Sequence, residues 1–179
     1  GWLLLTDLGS RQYLAELAPD SAPALYGDAL EALARLQTGG DPGSPLLPPY
    51  DTALLHREMA LFRDWFLGQQ LALELSAEEQ HTLEQTFAAL AASALAQPQV
   101  WVHRDYHSRN LMVTTADNPG VLDFQDAVVG AVTYDLVSLL RDCYIAWPRA
   151  QVEGWALGHR ARLQALGVPP EGTQPRPTL

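Results

Sequence analysis

Between His103 and Asp126 the chain gathers the residue types that phosphoryl transfer needs. His103-Arg104-Asp105-Tyr106-His107-Ser108-Arg109-Asn110 is followed by a short apolar run, a turn and then Leu122-Asp123-Phe124. The transferred group passes through a loose transition state, so the protein has mainly to hold a hydroxyl in line and neutralise charge with Mg²⁺. One carboxylate must face the nucleophile and two oxygen ligands must face the metal. Asp105 suits the first task and Asn110 with Asp123 the second, because Mg²⁺ takes a few hard oxygens beside phosphate and water.

Two other readings of the same residues exist. A His-x-Asp standing alone in an apolar neighbourhood would be a structural pair. A metal cluster of His103, Asp105 and His107 completed by Asp123 or Asp126 would serve a hydrolase. That cluster leaves Asn110 without a task, and His56, His81 and His159 all fall in helical segments. The joint register of Asp105, Asn110 and Asp123 favours phosphoryl transfer over both.

The elements that must position these groups follow from periodicity. Residues 2–6 read as a short buried strand ended by Asp7-Leu8-Gly9-Ser10. Leu25, Leu30, Leu33, Ala34 and Leu36 recur at helical spacing over 22–37, and Gly39-Gly40 ends that run. Asp51 can cap a helix over 51–70 with Leu54, Leu55, Met59, Phe62 and Phe66 as its apolar stripe. Ser76-Ala77-Glu78-Glu79 is a capping box that predicts a helix to about residue 96, with Leu83, Phe87, Leu90 and Ala94 inward. Short β pieces are predicted at 100–102, 111–114 and 121–124, with Asp117-Asn118-Pro119-Gly120 as the turn between the last two. Helices resume over 134–146 and 149–166, and the Pro-rich residues 167–179 carry no packing pattern.

Composition sets the outer limits. A chain of 179 residues with 47% hydrophobic content can bury a sizeable core. Its formal net charge of -10 argues against nucleic acid or an anionic membrane surface as partner, since both reward basic patches. The single cysteine, Cys143, excludes an intrachain disulfide framework and a cysteine-rich zinc site, and a cytoplasmic protein is expected. All 11 basic residues are Arg. A kinase needs a glycine-rich loop and a Lys on the phosphates. This sequence holds neither, so the N-terminal lobe that would grip them is expected to lie outside it.

The order His-x-Asp-x4-Asn, strand, turn, strand, Asp resembles the protein-kinase catalytic loop with its metal-binding Asp. Gln125 stands where protein kinases carry the Gly of Asp-Phe-Gly, which points toward their small-molecule relatives. The chain is identified on these motifs as a member of the aminoglycoside phosphotransferase and choline kinase superfamily. The resemblance implies a mainly α fold with small β pieces, the C-terminal lobe of the protein-kinase-like fold. Residues 1–9 would be the hinge strand and interlobe linker, 10–166 the helical lobe with its catalytic and metal loops, and 167–179 a disordered tail.

Blocks at 7–14, 57–66, 102–112 and 134–142 are most similar to the anomeric sugar kinases of bacterial cell-wall recycling, which act on N-acetylmuramate and N-acetylglucosamine. By that likeness the substrates are ATP and a small sugar, with Mg²⁺ as cofactor. The backbone at Asp7 and Leu8 would hold the adenine, and Asp105 would accept the proton of the sugar hydroxyl. Arg104, Tyr106, His107 and Arg109 flank Asp105 and could contact sugar or phosphate, while Arg109 could equally pair with a carboxylate. Glu58 and Asp64 could bind sugar hydroxyls or simply face solvent. Asp126 could face the cleft or cap the following turn, and His103 and Asp135 are assigned to loop support. An aminoglycoside or choline acceptor, or a non-catalytic kinase-like fragment, are the alternatives.

Overall fold

The computed structural model describes residues 6–169. Helices α1 (Tyr13–Glu16), α2 (Ala22–Gly39), α3 (Thr52–Leu61) and α4 (Ala77–Leu95) precede strands β1 (Gln99–Val102), β2 (Leu111–Met112), β3 (Gly120–Val121) and β4 (Val128–Ala131). Helices α5 (Tyr134–Leu140) and α6 (Arg149–Ala165) follow. The architecture is mainly α with two small antiparallel pairs, β1 with β4 and β2 with β3. Residues 2–5 of the strand expected at 2–6 and most of the tail expected at 167–179 lie outside the described residues, and Thr6 is not in a strand. Among those described, no helix is long and apolar enough to cross a membrane.

Helix α2 is the spine. Ala22, Tyr26, Ala29, Leu30, Leu33, Ala34 and Gln37 recur along one face and are buried, the stripe that a helix needs to serve a core. Its first half packs with Tyr13, Tyr106, Leu111, Leu139 and Leu140 in one cluster. Ala34, near its end, belongs to a second cluster with Tyr50, Val100, Val102, Val128 and Leu163. Gly40 ends the helix where a Cβ would lie 2.0 Å from the Trp101 ring, so only glycine admits that close approach.

Several expectations change in the structure. The helix over 51–70 is capped by Asp51, whose carboxylate accepts the Leu54 amide at 2.8 Å. It is α-helical only to Leu61 and continues as a π-helix over Phe62–Gln70. Phe62 and Phe66, expected inward, are exposed and stack on each other at 5.4 Å. Leu90 of α4 is likewise exposed, whereas Phe87 is buried and the Ser76–Glu79 capping box forms as read. Strand β4 was not anticipated, although Ala127-Val-Val-Gly-Ala-Val132 is a continuous apolar run of the kind that marks a fully buried strand. Helix α5 ends at Leu140 rather than 146, and just beyond it the Asp142 carboxylate accepts the Tyr144 amide at 2.9 Å.

One buried histidine joins three elements. His159 of α6 lies 2.9 Å from Gln37 Oε1 at the end of α2, and Gln37 Nε2 donates to the Val132 carbonyl beyond β4 at 2.8 Å. Burial, with the nearby Arg162 charge adding to it, lowers the His159 pKa to about 4. The unfolded chain takes up this proton near pH 6.5 and the folded one only near 4, so the protein loses stability as pH falls through that window. A depression of that size corresponds to about 3 kcal/mol. Urea unfolding at pH 7 and pH 4.5 should therefore show His159→Gln losing less stability in acid than the parent; parallel losses would exclude this origin.

Candidate active site

The candidate site is a loop held by carboxylates rather than by a ladder. Asp135, on the first turn of α5 and fully buried, accepts the backbone amides of His103 at 2.7 Å and Arg104 at 3.0 Å. Asp142, beyond the other end of α5, accepts the Ser108 amide at 2.9 Å. Inside the loop the His107 amide donates to the Asp105 carbonyl at 3.0 Å and the Asn110 amide to the His107 carbonyl at 2.9 Å. Burial pushes the Asp135 carboxyl up to about 6, against the pull of its two amide donors, and the neighbouring Asp105 charge pushes the same way.

Burial alternates along this loop. His103, Tyr106 and Ser108 are buried, whereas Asp105 and Asn110 are partly open. Burial pulls the His103 pKa down, which favours a neutral imidazole, and its Nδ1 accepts the Asp105 amide at 3.3 Å. Tyr106 was expected near the substrate. Instead it is buried in the main core and its hydroxyl donates to the Ala29 carbonyl at 2.8 Å, so it anchors the loop to α2.

Asn110 leads into β2 and Asp123 follows β3, and the two-strand hairpin brings both ends together through the Leu122 amide, which donates to the Asn110 carbonyl at 2.9 Å. Asn110 Nδ2 donates to the Asp105 carbonyl at 3.1 Å, which leaves its oxygen as the end available to a ligand. Asp123 is exposed with φ +66°, and its Oδ1 accepts Gln125 Nε2 at 2.9 Å. Asn110 Oδ1 and the Asp123 carboxylate are hard oxygens of the kind that fit Mg²⁺. Among the described residues no three His, Cys, Asp or Glu side chains gather into a metal cluster.

The segment before α1 lies along this hairpin. A Cβ at Gly120 would stand 3.0 Å from Leu8 Cδ1, so the absence of a side chain on β3 is what lets Leu8 pack there. Asp7 Oδ1 accepts the Gly9 amide at 2.8 Å, and Gly9 takes φ +79°. Further on, the Val113 amide donates to the Arg11 carbonyl at 2.7 Å and Gln12 Nε2 to the Arg109 carbonyl at 3.1 Å. Leu8 thus adjoins the hairpin whose ends lead to the two candidate metal ligands.

The remaining residues divide into two groups. Arg104 takes φ +78°, a conformation that costs an L-residue about 1 kcal/mol, and its guanidinium pairs with Glu58 of α3. Glu58 also accepts the Tyr50 hydroxyl, and the Asp126 carbonyl accepts Arg104 Nη1 at 3.4 Å. Burial, reinforced by Glu58, pushes the Tyr50 phenol up, so it stays a donor. On another side, the Arg109 guanidinium sits 5.0 Å from the centre of the Tyr144 ring, and His107 meets that ring edge-on at 5.6 Å. Arg109 therefore stacks on an aromatic rather than pairing with a carboxylate. Asp64 pairs with Arg63 at 2.7 Å on an exposed face, away from Glu58's partners.

Sequence reasoning gave no role to Asp142, Tyr50 or Gln12. Asp142 had a signal, since Asp135 and Asp142 are two carboxylates seven residues apart flanking an apolar helix, a costly placement unless each is hydrogen-bonded.

A loop-and-hairpin site of this kind on a mainly helical body defines a class. The chain belongs to the phosphotransferase enzyme family, whose sequence pattern matches residues 1–172. It is 48% identical over 169 residues to the N-acetylmuramate/N-acetylglucosamine kinase of Pseudomonas putida, covering 94% of this chain and 49% of that protein. To the enzyme of the same name from Pseudomonas aeruginosa it is 44% identical, with the same 94% and 49% coverage. The chain thus spans about half the length of the curated relatives it matches. It shares its fold with the aminoglycoside phosphotransferase APH(3'')-Id of Streptomyces rimosus, solved with ADP and streptomycin. The TM-score is 0.60 at 17% identity, over 92% of this chain and 63% of that one.

Asp135→Asn places an amide donor against the amides of His103 or Arg104. A loss of about 2 kcal/mol in urea unfolding is expected. A variant as stable as the parent would remove Asp135 from the loop's support.

Proposed function

We propose that this chain is the catalytic portion of an ATP-dependent sugar kinase that phosphorylates the anomeric hydroxyl of N-acetylmuramate or N-acetylglucosamine. The observation that carries the phosphotransfer reading is the joining of Asp105, Asn110 and Asp123 by the Asn110 side chain and the β2–β3 hairpin. Identity of 48% and 44% to kinases named for these two sugars supports the choice of acceptor.

Asp105 orients the sugar hydroxyl and accepts its proton; a hemiacetal hydroxyl is more acidic than an alkanol, so a modest base suffices. Asn110 and Asp123 hold Mg²⁺, which when bound neutralises charge on the phosphates. The backbone at Asp7 and Leu8 takes the adenine edge, and the Leu8 side chain, packed over Gly120, ties that segment to the hairpin between the metal ligands. His107, Arg109 and Asp126 are the groups left for the sugar and its new phosphate. The lobe that grips the ATP phosphates is assigned to sequence outside this chain.

Purified full-length protein should form ADP from ATP in the presence of Mg²⁺ and either sugar, and Asp105→Asn should lower kcat by about 10³-fold. Turnover of an aminoglycoside or choline but of neither sugar would sink the acceptor assignment. An active Asp105→Asn would remove the base.

A further inference from the structure

Arg104 and Glu58 look at first like groups aimed at a substrate, since one precedes Asp105 and the other lies on the helix facing it. Both Glu58 carboxylate oxygens and both Arg104 terminal nitrogens are engaged within the protein, and Arg104 Nε is buried. Glu58 Oε1 accepts Arg104 Nη2 and Glu58 Oε2 accepts the Tyr50 hydroxyl. Arg104 Nη1 reaches the Asp126 carbonyl at 3.4 Å, and the guanidinium lies 5.7 Å from the centre of the Tyr50 ring. Only 23% of the Arg104 side chain and 26% of that of Glu58 is exposed. Tyr50 is in turn fixed: it is buried, its amide donates to the Val129 carbonyl of β4 at 2.7 Å, and a Cβ at Gly130 would come within 3.1 Å of it.

We infer that Tyr50, Glu58 and Arg104 form a latch that positions Asp105, and that Arg104 and Glu58 are positioning residues rather than contacts to the acceptor. The latch joins four segments: β4 through Tyr50, α3 through Glu58, the catalytic loop through Arg104, and the stretch after Asp123 through the Asp126 carbonyl. Arg104 therefore touches both segments that carry reacting groups. Its backbone is left-handed, a state that an arginine leaves readily unless held. Asp135 holds that residue by its amide and Glu58 by its side chain. Loss of the side-chain hold lets residue 104 relax toward ordinary φ, and Asp105, one peptide away, moves with it.

The inference rests on the phosphotransfer reading only for its kinetic arm. Arg104→Gly is the informative variant, because glycine takes a φ of +78° without strain while the ion pair is lost. Glu58→Gln keeps the shape and loses the charge, and Tyr50→Phe loses only the donor. In full-length protein, Glu58→Gln should lower kcat about 10- to 100-fold with the sugar KM within about twofold, since small misplacement of a reacting group costs that much. Arg104→Gly should lose less, since glycine keeps that φ without a tether, and the double variant should be no worse than Glu58→Gln alone. Hydrogen exchange at the amides of residues 103–108 should quicken in Glu58→Gln and less so in Tyr50→Phe.

A tenfold rise in sugar KM at unchanged kcat would make Arg104 or Glu58 an acceptor contact and overturn the latch. Additive losses in the double variant, or loop exchange unchanged in Glu58→Gln, would overturn it too. If the parent protein transfers phosphate to no sugar, the functional reading fails, while the exchange measurement still decides whether the latch exists. Should Arg104→Gly not fold, Glu58→Gln and Tyr50→Phe carry the test unaided.

Discussion

The loop over residues 103–110 has neither helix nor long ladder to satisfy its backbone, and the buried carboxylate of Asp135, facing the amides of His103 and Arg104, supplies what the fold cannot. An unpaired buried amide costs as much as a lost hydrogen bond, and an unpaired buried carboxylate costs more. Each group is therefore tolerable only because the other is there. Asp142 repeats the arrangement at Ser108. Helix α5 carries one carboxylate on its first turn and is followed by the other, so its docking through Leu139 and Leu140 sets the position of the loop.

That arrangement has an electrostatic consequence. Asp135 keeps a pKa of about 6 because desolvation outweighs its two amide donors, and the charge of Asp105 adds to the burden. A buried acid beside Asp105 is costly, and it is tolerated because it satisfies the loop amides. Placing a carboxylate at the N-terminal end of α5 recovers part of the cost, since the partial positive charge of a helix N-terminus favours an anion.

Much of this was legible in the sequence, and the failures share a physical cause. Asp105, Asn110 and Asp123 stand out as candidates by residue type and spacing, α2 by periodicity and α4 by its capping box. Direction could not be read. Tyr106 sits beside Asp105 in sequence yet points into the core, because the loop turns at each residue and no period governs it. Phe62 and Phe66 continue a good apolar stripe, but the change to π-helical winding after Leu61 shifts the register on which that stripe depends. Strand β4 was missed for a related reason: a continuous apolar run carries no alternation to announce its partner, and only pairing with β1 identifies it.

The same turning explains why the site stands where it does. His103, Tyr106, Ser108 and Leu111 are buried, and each is fixed by a contact to α2, α5 or the hairpin. Four inward anchors in nine residues leave few directions for the rest of the loop. Asp105 and Asn110 face outward because their neighbours are committed inward, and the Asn110 amide closes the turn on the Asp105 carbonyl. Arg104 is the residue of this loop with an unfavourable backbone conformation. It is also the one whose side chain is tied from outside the loop, by Glu58. The position of Asp105 thus depends on core packing from one side and on a single ion pair from the other.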